Sequence, residues 1–367
     1  MPNIFDYLEW RADLSLKADP FNDVDNLILA ELAYTEFDGL VPEDGTKVSL
    51  ESVRDGYFAS HSKAVAMGSE NHILRAPVLM DGMLEGDRFR GLMLSDYINI
   101  IDTDSDLQIS AVTYNLSDGS RYIAFRGTDN TVVGWKEDFN MSYLPETGGQ
   151  RKAIEYLNRV GSEKAGKLIV GGHSKGGNFA VYAAAFADPQ VRRKIRRVYT
   201  NDGPGFRPEV MRSRGYKKLL PKVTSVVPDT SIIGMLLTSQ VSHKVVMSSE
   251  KGLAQHDALT WQVKGNDFVL AEPSELGVFI RETQRDWLSK LDDKTRQLFV
   301  DTLFSLFEAT GHETFGEIKE GKLKSVEKII STAQDLSRER QKELARIVKE
   351  FLQSGGQNVK EWYDRKR

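Results

Sequence analysis

The chain has 367 residues, with 53 acidic against 49 basic side chains and no cysteine. Hydrophobic residues make up 40% and charged residues 28%, the balance of a globular protein that is long enough to bury a large core and divide into about two domains. The near-neutral charge speaks against a dedicated nucleic-acid binder, and the missing thiols exclude disulfides, thiolate metal sites and cysteine nucleophiles.

The N-terminal segment mixes acids and bases and lacks the apolar run of a signal peptide or a membrane span, so a cytoplasmic location is expected. Residues 24–36 carry Val24, Leu27, Leu29, Leu32 and Ala33 at helical spacing, mostly on one side. Residues 92–101 and 107–116 read as strands. The acidic stretch 102–106 between them lacks the glycine and terminal glutamate of a calcium loop and reads as a solvated hairpin turn. Another strand is expected at 121–126, a helix at 150–165, a short apolar strand at 167–172 and a small-residue helix from Gly177 to Ala187. Strands at 196–201 and 222–227 follow, and 241–247 and 262–270 add strands or cover a site. Strands alternating with helices imply a mostly parallel sheet flanked by crossover helices, an α/β fold.

After residue 271 the texture becomes helical, with helices expected at 274–290, 293–309 and 322–353. The last has an apolar stripe of Val326, Ile329, Ile330, Ala333, Leu336, Leu344, Ile347, Val348 and Phe351. From Gly321 onward there are 12 basic and 7 acidic residues, so this basic helix is a place for peripheral membrane contact, although packing on the main domain is the simpler reading. The expected division is residues 1–270 as the sheet domain and 271–367 as a helical extension.

The strongest local pattern is Gly172-His-Ser-Lys-Gly176. It fits Gly-x-Ser-x-Gly between a strand and a helix, where the glycines admit a tight turn that lifts the serine oxygen above the sheet. Ser174 is then the candidate nucleophile, and the backbone N–H of Lys175, at the helix start, the candidate oxyanion donor. A serine needs a base. In the order serine, acid, histidine, the bases open to it are His243, His256 and His312. His243 lies in a strand and His312 in the helical tail, so His256, in a loop, is preferred. For the acid, Asp229 follows the later strand and is preferred over Asp202, whose Asp-Gly-Pro-Gly context is also turn chemistry.

Three blocks resemble the class 3 lipase type of α/β-hydrolase. They are Ile123-Ala-Phe-Arg-Gly-Thr128 with Trp135 and Asp138, then Gly172-His-Ser-Lys-Gly-Gly177, then Val226-Val-Pro-Asp229 with His256 downstream. The resemblance covers roughly residues 24–265 and is to a bacterial, lipase-like branch. It implies an α/β-hydrolase fold, Ser174 as nucleophile, Asp229 as acid, His256 as base, and Thr128 beside Lys175 at the oxyanion hole. Arg126, Trp135 and Asp138 become structural supports. The charged Lys175, the Asp202-Gly-Pro-Gly segment and the helical tail depart from the family pattern.

The expected chemistry is cleavage of a carboxylic ester or thioester, small or lipid, through an acyl-enzyme, needing neither a metal nor an organic cofactor. The apolar run Thr230–Leu237, with Ile232, Ile233, Met235, Leu236 and Leu237, suits an acyl chain, as does the segment Phe206–Leu220. A non-catalytic interaction protein on the same scaffold, and an acyltransferase or peptidase with the same residues, are the competing readings.

Overall fold

A computed structural model describes residues 1–129, 131–162, 166–231, 233–234, 237–314, 322–343, 345–347, 349–350 and 353. One eight-stranded sheet carries the molecule, with its strands side by side in chain order. β1 (Val48–Ser49), β2 (Met93–Asp102), β3 (Leu107–Asn115) and β4 (Arg121–Phe125) pair antiparallel. From β4 the sheet continues in parallel through β5 (Leu168–Gly172), β6 (Ile195–Asn201), β7 (Val223–Pro228) and β8 (His243–Val246). The acidic stretch after β2 is a hairpin turn in which Asp102 accepts from the Asp104 N–H at 3.0 Å. The 262–270 region adds no full strand to the sheet and meets its edge through one antiparallel bridge, Leu270 with Val246 of β8. It folds into a separate small hairpin, β9 (Val263–Lys264) with β10 (Asp267–Phe268).

Both faces of the parallel half are buried, as side-chain alternation along each strand requires. Ile123 and Phe125 of β4, Val170 of β5 and Val198 of β6 share one core with Leu157 of the helix Gly148–Ser162 and Phe179 of the helix Lys175–Phe186. Tyr122 and Ala124 of β4, Tyr199 of β6 and Val226 of β7 point the other way. They pack with Tyr7, Leu27, Leu32 and Trp261. Two faces covered by helices around a parallel sheet, with a sharp turn after β5, make this an α/β-hydrolase fold.

The helix at the second face differs from its sequence pattern. It spans Asp23–Leu32, and every one of its residues is buried, not a single stripe. Its polar residues are accommodated by partners distant in the chain. Asn26 donates to Asn201 at 3.0 Å and accepts from the Tyr122 hydroxyl at 2.8 Å. Asp25 is gripped by Arg88, with Nε to Oδ1 at 2.6 Å and Nη2 to Oδ2 at 2.5 Å, both side chains fully buried. Arg88 also donates to the carbonyls of Leu14 and Asp19, and Tyr7 donates to Asp25 at 2.9 Å. One guanidinium therefore ties the N-terminal segment, the buried helix and the approach to β2 together.

Past residue 271, the helices Glu275–Lys290 and Asp293–Glu308 form as expected, and the second packs Val300 and Phe304 against Val132 and Tyr143. Arg207 reaches across to Asp293 with a pair of donors at 3.0 and 2.8 Å. The expected helix 322–353 is not continuous. Lys322–Asp335 ends, and helix resumes after Ser337, whose hydroxyl accepts from the Arg340 N–H at 3.3 Å. Of the expected apolar stripe, Ile347 is buried and Ile330 is exposed. Leu344, Val348 and Phe351, and the side chain of Val326, lie outside the described residues. No described helix is long and apolar enough to cross a membrane.

Removing one member of a buried ion pair strands the other charge, at a cost of about 3–5 kcal/mol. Arg88→Met should lower unfolding stability by that amount in denaturant titrations, with Asp25 left facing only Tyr7 and backbone donors.

Candidate active site

β5 ends at Gly172 and the helix Lys175–Phe186 begins two residues later, which leaves His173 and Ser174 to make the turn. Ser174 sits at φ +56° and ψ −131°, a backbone state that L-residues rarely adopt. The turn is possible because of what flanks it. A Cβ on Gly176 would lie 2.0 Å from the Phe125 carbonyl oxygen, and one on Gly172 would lie 2.4 Å from the same oxygen. Neither position tolerates a side chain. The Ser174 N–H is held by the Asn201 carbonyl at 2.9 Å, so β6 fixes the elbow from its other side.

Ser174 and His256 meet at this elbow. The Ser174 hydroxyl donates to His256 Nε2 at 3.0 Å. The other ring nitrogen, Nδ1, donates to a carboxylate, and that carboxylate is Asp202 Oδ2 at 2.6 Å. Asp202 is fully buried and is itself at positive φ, +51°, immediately after β6. The serine is nearly buried, while the His256 side chain keeps 22% exposure, so the cleft opens at the imidazole.

Asp229, the preferred acid from the sequence, does not contact the imidazole. Its Oδ1 accepts from the Ser274 N–H at 2.6 Å, at the entrance to the helix Glu275–Lys290. The loop after β7 turns away from the base and distributes three successive residues to three tasks. Asp229 holds the C-terminal helix. Thr230 binds Gln255 Oε1 through its N–H at 3.0 Å and its hydroxyl at 2.9 Å, next to the base. Ser231 donates to the remaining oxygen of Asp202. The other histidines lie elsewhere: His243 Nδ1 is 2.8 Å from the Ser225 hydroxyl, and the His312 N–H donates to Thr310.

Thr128 and Lys175, the residues the sequence offers as oxyanion donors, both stand next to Ser174. The backbone of Gly127 lies against the elbow so closely that a Cβ there would be 3.0 Å from Ser174 Cβ and 2.7 Å from the His173 carbonyl oxygen. The next residue, Thr128, therefore stands beside the nucleophile. Its hydroxyl donates to Asp138 Oδ2, which fixes the residue's orientation. Lys175 occupies the first helical position, where an N–H has no intrahelical acceptor. Its charged side chain, out of place in the family pattern, points away from the cleft. The ammonium is fully buried beneath the elbow, 2.5 Å from Gln108 Oε1, 3.3 Å from the Gly134 carbonyl and 3.4 Å from Glu137 Oε2. Glu137 in turn accepts the backbone N–H groups of Gln108 and Gly149 at 2.9 and 2.6 Å.

Two more groups respond to this dry setting. Burial raises the Asp138 carboxyl from an ordinary 3.8 to about 6, opposed in part by the Lys175 charge. Burial also drives the His173 imidazole well below its ordinary range, and the neighbouring His256 ring acts in the same sense. His173 is packed behind the base: its Nε2 is 2.9 Å from the His256 carbonyl and its Nδ1 is 2.9 Å from the Tyr34 hydroxyl.

An apolar cleft beside Asp138 is lined by Phe139, Pro204, Leu237, Trp287, Leu291 and Phe299. Only Leu237 of the run Thr230–Leu237 lines it, and Ile232, Met235 and Leu236 lie outside the described residues. Trp287 and Phe299 come from the two helices after residue 271, and Leu291 from the link between them. The amphipathic pattern of these helices is visible in the sequence, but nothing in that pattern says that they border the cleft beside Asp138. Lys175 as a buried cation and Tyr34 behind the elbow were equally invisible, since both partners depend on distant segments.

The family described as Mbeg1-like matches residues 83–305, more than half of the chain. No curated protein matches it significantly. Among solved structures, M37 lipase is similar at a TM-score of 0.36 and 15% identity, over 57% of this chain and 68% of that one. The propeptide complex of Rhizomucor miehei lipase is similar at a TM-score of 0.37 and 14% identity, over 60% of this chain and 65% of the other.

Lys175→Met keeps the backbone N–H but strands Glu137, so it should cost about 3–5 kcal/mol of stability while leaving the elbow's geometry in place. Circular dichroism with denaturant titration checks it. For Asp138, the folded carboxyl holds its proton up to about pH 6, whereas the unfolded one releases it near 3.8. The folded state binds more protons in that window, so stability falls as pH rises through it and levels off above. The gap is worth roughly 3 kcal/mol. Unfolding curves at pH 4 and pH 7 should show Asp138→Asn losing less stability than the unmodified chain over this range, by about that amount.

Proposed function

The chain belongs to the Mbeg1-like family, and we propose that it is a serine hydrolase that cleaves a carboxylic ester or thioester. The observation that carries this reading is the continuous hydrogen-bonded row from Ser174 through His256 to Asp202, built on a strained elbow. In this reading Ser174 Oγ attacks the carbonyl carbon while His256 Nε2 takes the hydroxyl proton. Asp202 holds Nδ1–H, fixes the tautomer and stabilises the imidazolium. The carbonyl oxygen gains its negative charge between the N–H groups of Thr128 and Lys175, at the start of a helix. Collapse of the tetrahedral species breaks the bond to the leaving group, which takes the proton from His256. Water then adds to the acyl-enzyme by the same route, giving the acid and restoring Ser174.

An apolar acyl group suits the apolar cleft beside Asp138, the residue whose carboxylate accepts the Thr128 hydroxyl. Asp202 as the acid is preferred to Asp229 on geometry, since only Asp202 reaches the imidazole.

Turnover of a short p-nitrophenyl ester, together with fluorophosphonate labelling read by mass, tests the proposal. Ser174→Ala should abolish both. Asp202→Asn should lower turnover by on the order of 10⁴, the loss seen when a serine-protease triad loses its orienting carboxylate. Asp229→Asn should leave turnover unchanged. Full activity in the Ser174 or Asp202 variant would overturn the assignment.

A further inference from the structure

Behind the elbow, on the side away from the substrate cleft, Glu31, His72 and His173 converge from three separate parts of the chain. We propose that these three side chains bind one divalent transition-metal ion of the zinc type, as a brace behind the loop that carries His256. Glu31 and His72 have no part in the hydrolytic scheme, so this site is independent of it.

The argument begins with the His173 ring. Its Nε2 faces the His256 carbonyl at 2.9 Å. A carbonyl only accepts, so Nε2 carries the ring proton and Nδ1 presents a lone pair. That lone pair accepts from the Tyr34 hydroxyl at 2.9 Å, and Glu31 Oε1 stands 3.3 Å from the same nitrogen. Oε1 is itself buried, and no described group donates to it. A carboxylate oxygen and an unprotonated ring nitrogen at this distance repel unless a proton or a cation lies between them. A proton would account for this pair alone. The third member is His72, whose Nδ1 stands 3.2 Å from Glu31's other oxygen, Oε2, a hydrogen bond that a bound ion replaces. The three ligand atoms lie within 4.8 Å of one another.

Two imidazole nitrogens and a carboxylate oxygen are the donors that zinc and its neighbours prefer. With metal–ligand bonds of about 2.0–2.2 Å, two ligands in a tetrahedron stand about 3.3 Å apart. Each close pair, one to each oxygen of Glu31, is near this spacing, and a rotation of the carboxylate with a swing of His72 brings one oxygen and both nitrogens onto a common ion. Glu31 and His173 are sealed in the interior, while His72 keeps 19% side-chain exposure and provides the way in. The Tyr34 hydroxyl, 2.9 Å from His173 Nδ1, gives up that contact to a bound ion and stands beside it as a neutral oxygen. An ion on Nδ1 locks the proton on Nε2, and with it the bond to the His256 carbonyl.

The full-length chain, stripped with a chelator and dialysed, should take up one Zn²⁺ per molecule in calorimetric titration. Co²⁺ in its place should give visible d–d absorption. His72→Ala, which changes a partly exposed residue and should fold, is expected to weaken uptake by about tenfold or more and erase the Co²⁺ band. Glu31→Gln should do the same, and Ser174→Ala should bind as the unmodified chain does. Failure of the unmodified chain to take up stoichiometric metal would overturn the proposal and leave a shared proton between Glu31 and His173. Uptake unchanged by His72→Ala would overturn it equally, by placing the ion on other histidines.

Discussion

The carbonyl oxygen of Phe125 comes so near Gly176 and Gly172 that no side chain fits at either position. β4 and β5 run in register to their last residues, so the end of β4 presses directly on the turn that leaves β5. That contact compresses the turn and puts Ser174 at positive φ. The same compression lays Gly127 on the elbow and brings Thr128 alongside it. The placement of Ser174, the helix start at Lys175 and Thr128 therefore follows from one steric constraint between two neighbouring strands.

Around this point the protein assembles its chemistry from strand ends, and each strand end does more than one thing. Asn201 at the end of β6 accepts the Ser174 N–H, and the next residue is Asp202. The loop after β7 fastens Asp202 through Ser231, the loop that carries His256 through Thr230 and the C-terminal helix through Asp229. The helix Glu275–Lys290 is thus anchored to the loop after β7, and it and the helix Asp293–Glu308 supply Trp287 and Phe299 to the apolar cleft beside Asp138. A change in their packing has a direct route to the cleft.

The interior near the site is unusually ionic. Asp25 with Arg88, Glu137 with Lys175, and Glu31 with its histidines are all withdrawn from water. Each would cost far more than it contributes if a partner were lost. Their common effect is positional: Lys175 and Glu137 hold the floor of the elbow, Arg88 holds the helix whose Asn26 reaches Asn201, and His173 holds the base loop. Asp138, raised to about 6 with one oxygen unpartnered among the described residues, is the least comfortable of these groups.

The sheet and the elbow were legible because they rest on local patterns. A short apolar strand, two glycines around a serine and a run of small residues specify a strand–turn–helix wherever they occur, and the expected strands lie within a residue or two of the observed ones. His256 could be reached by chain order and its loop context. The acid could not. Asp202 and Asp229 both follow parallel strands, and only the path of the loop after β7, drawn toward Ser274, decides which carboxylate meets the imidazole. The uniform burial of Asp23–Leu32 was likewise hidden, because its polar residues find partners at positions 88, 122 and 201. The same holds for Glu31, His72 and His173, which no spacing rule connects. By itself the sequence determined what backbone hydrogen bonding and short-range sterics dictate: the strands, the elbow and the identity of its serine. Tertiary structure decided how charges are paired, since a buried charge is satisfied by whatever donor the fold brings near it, however distant in the chain.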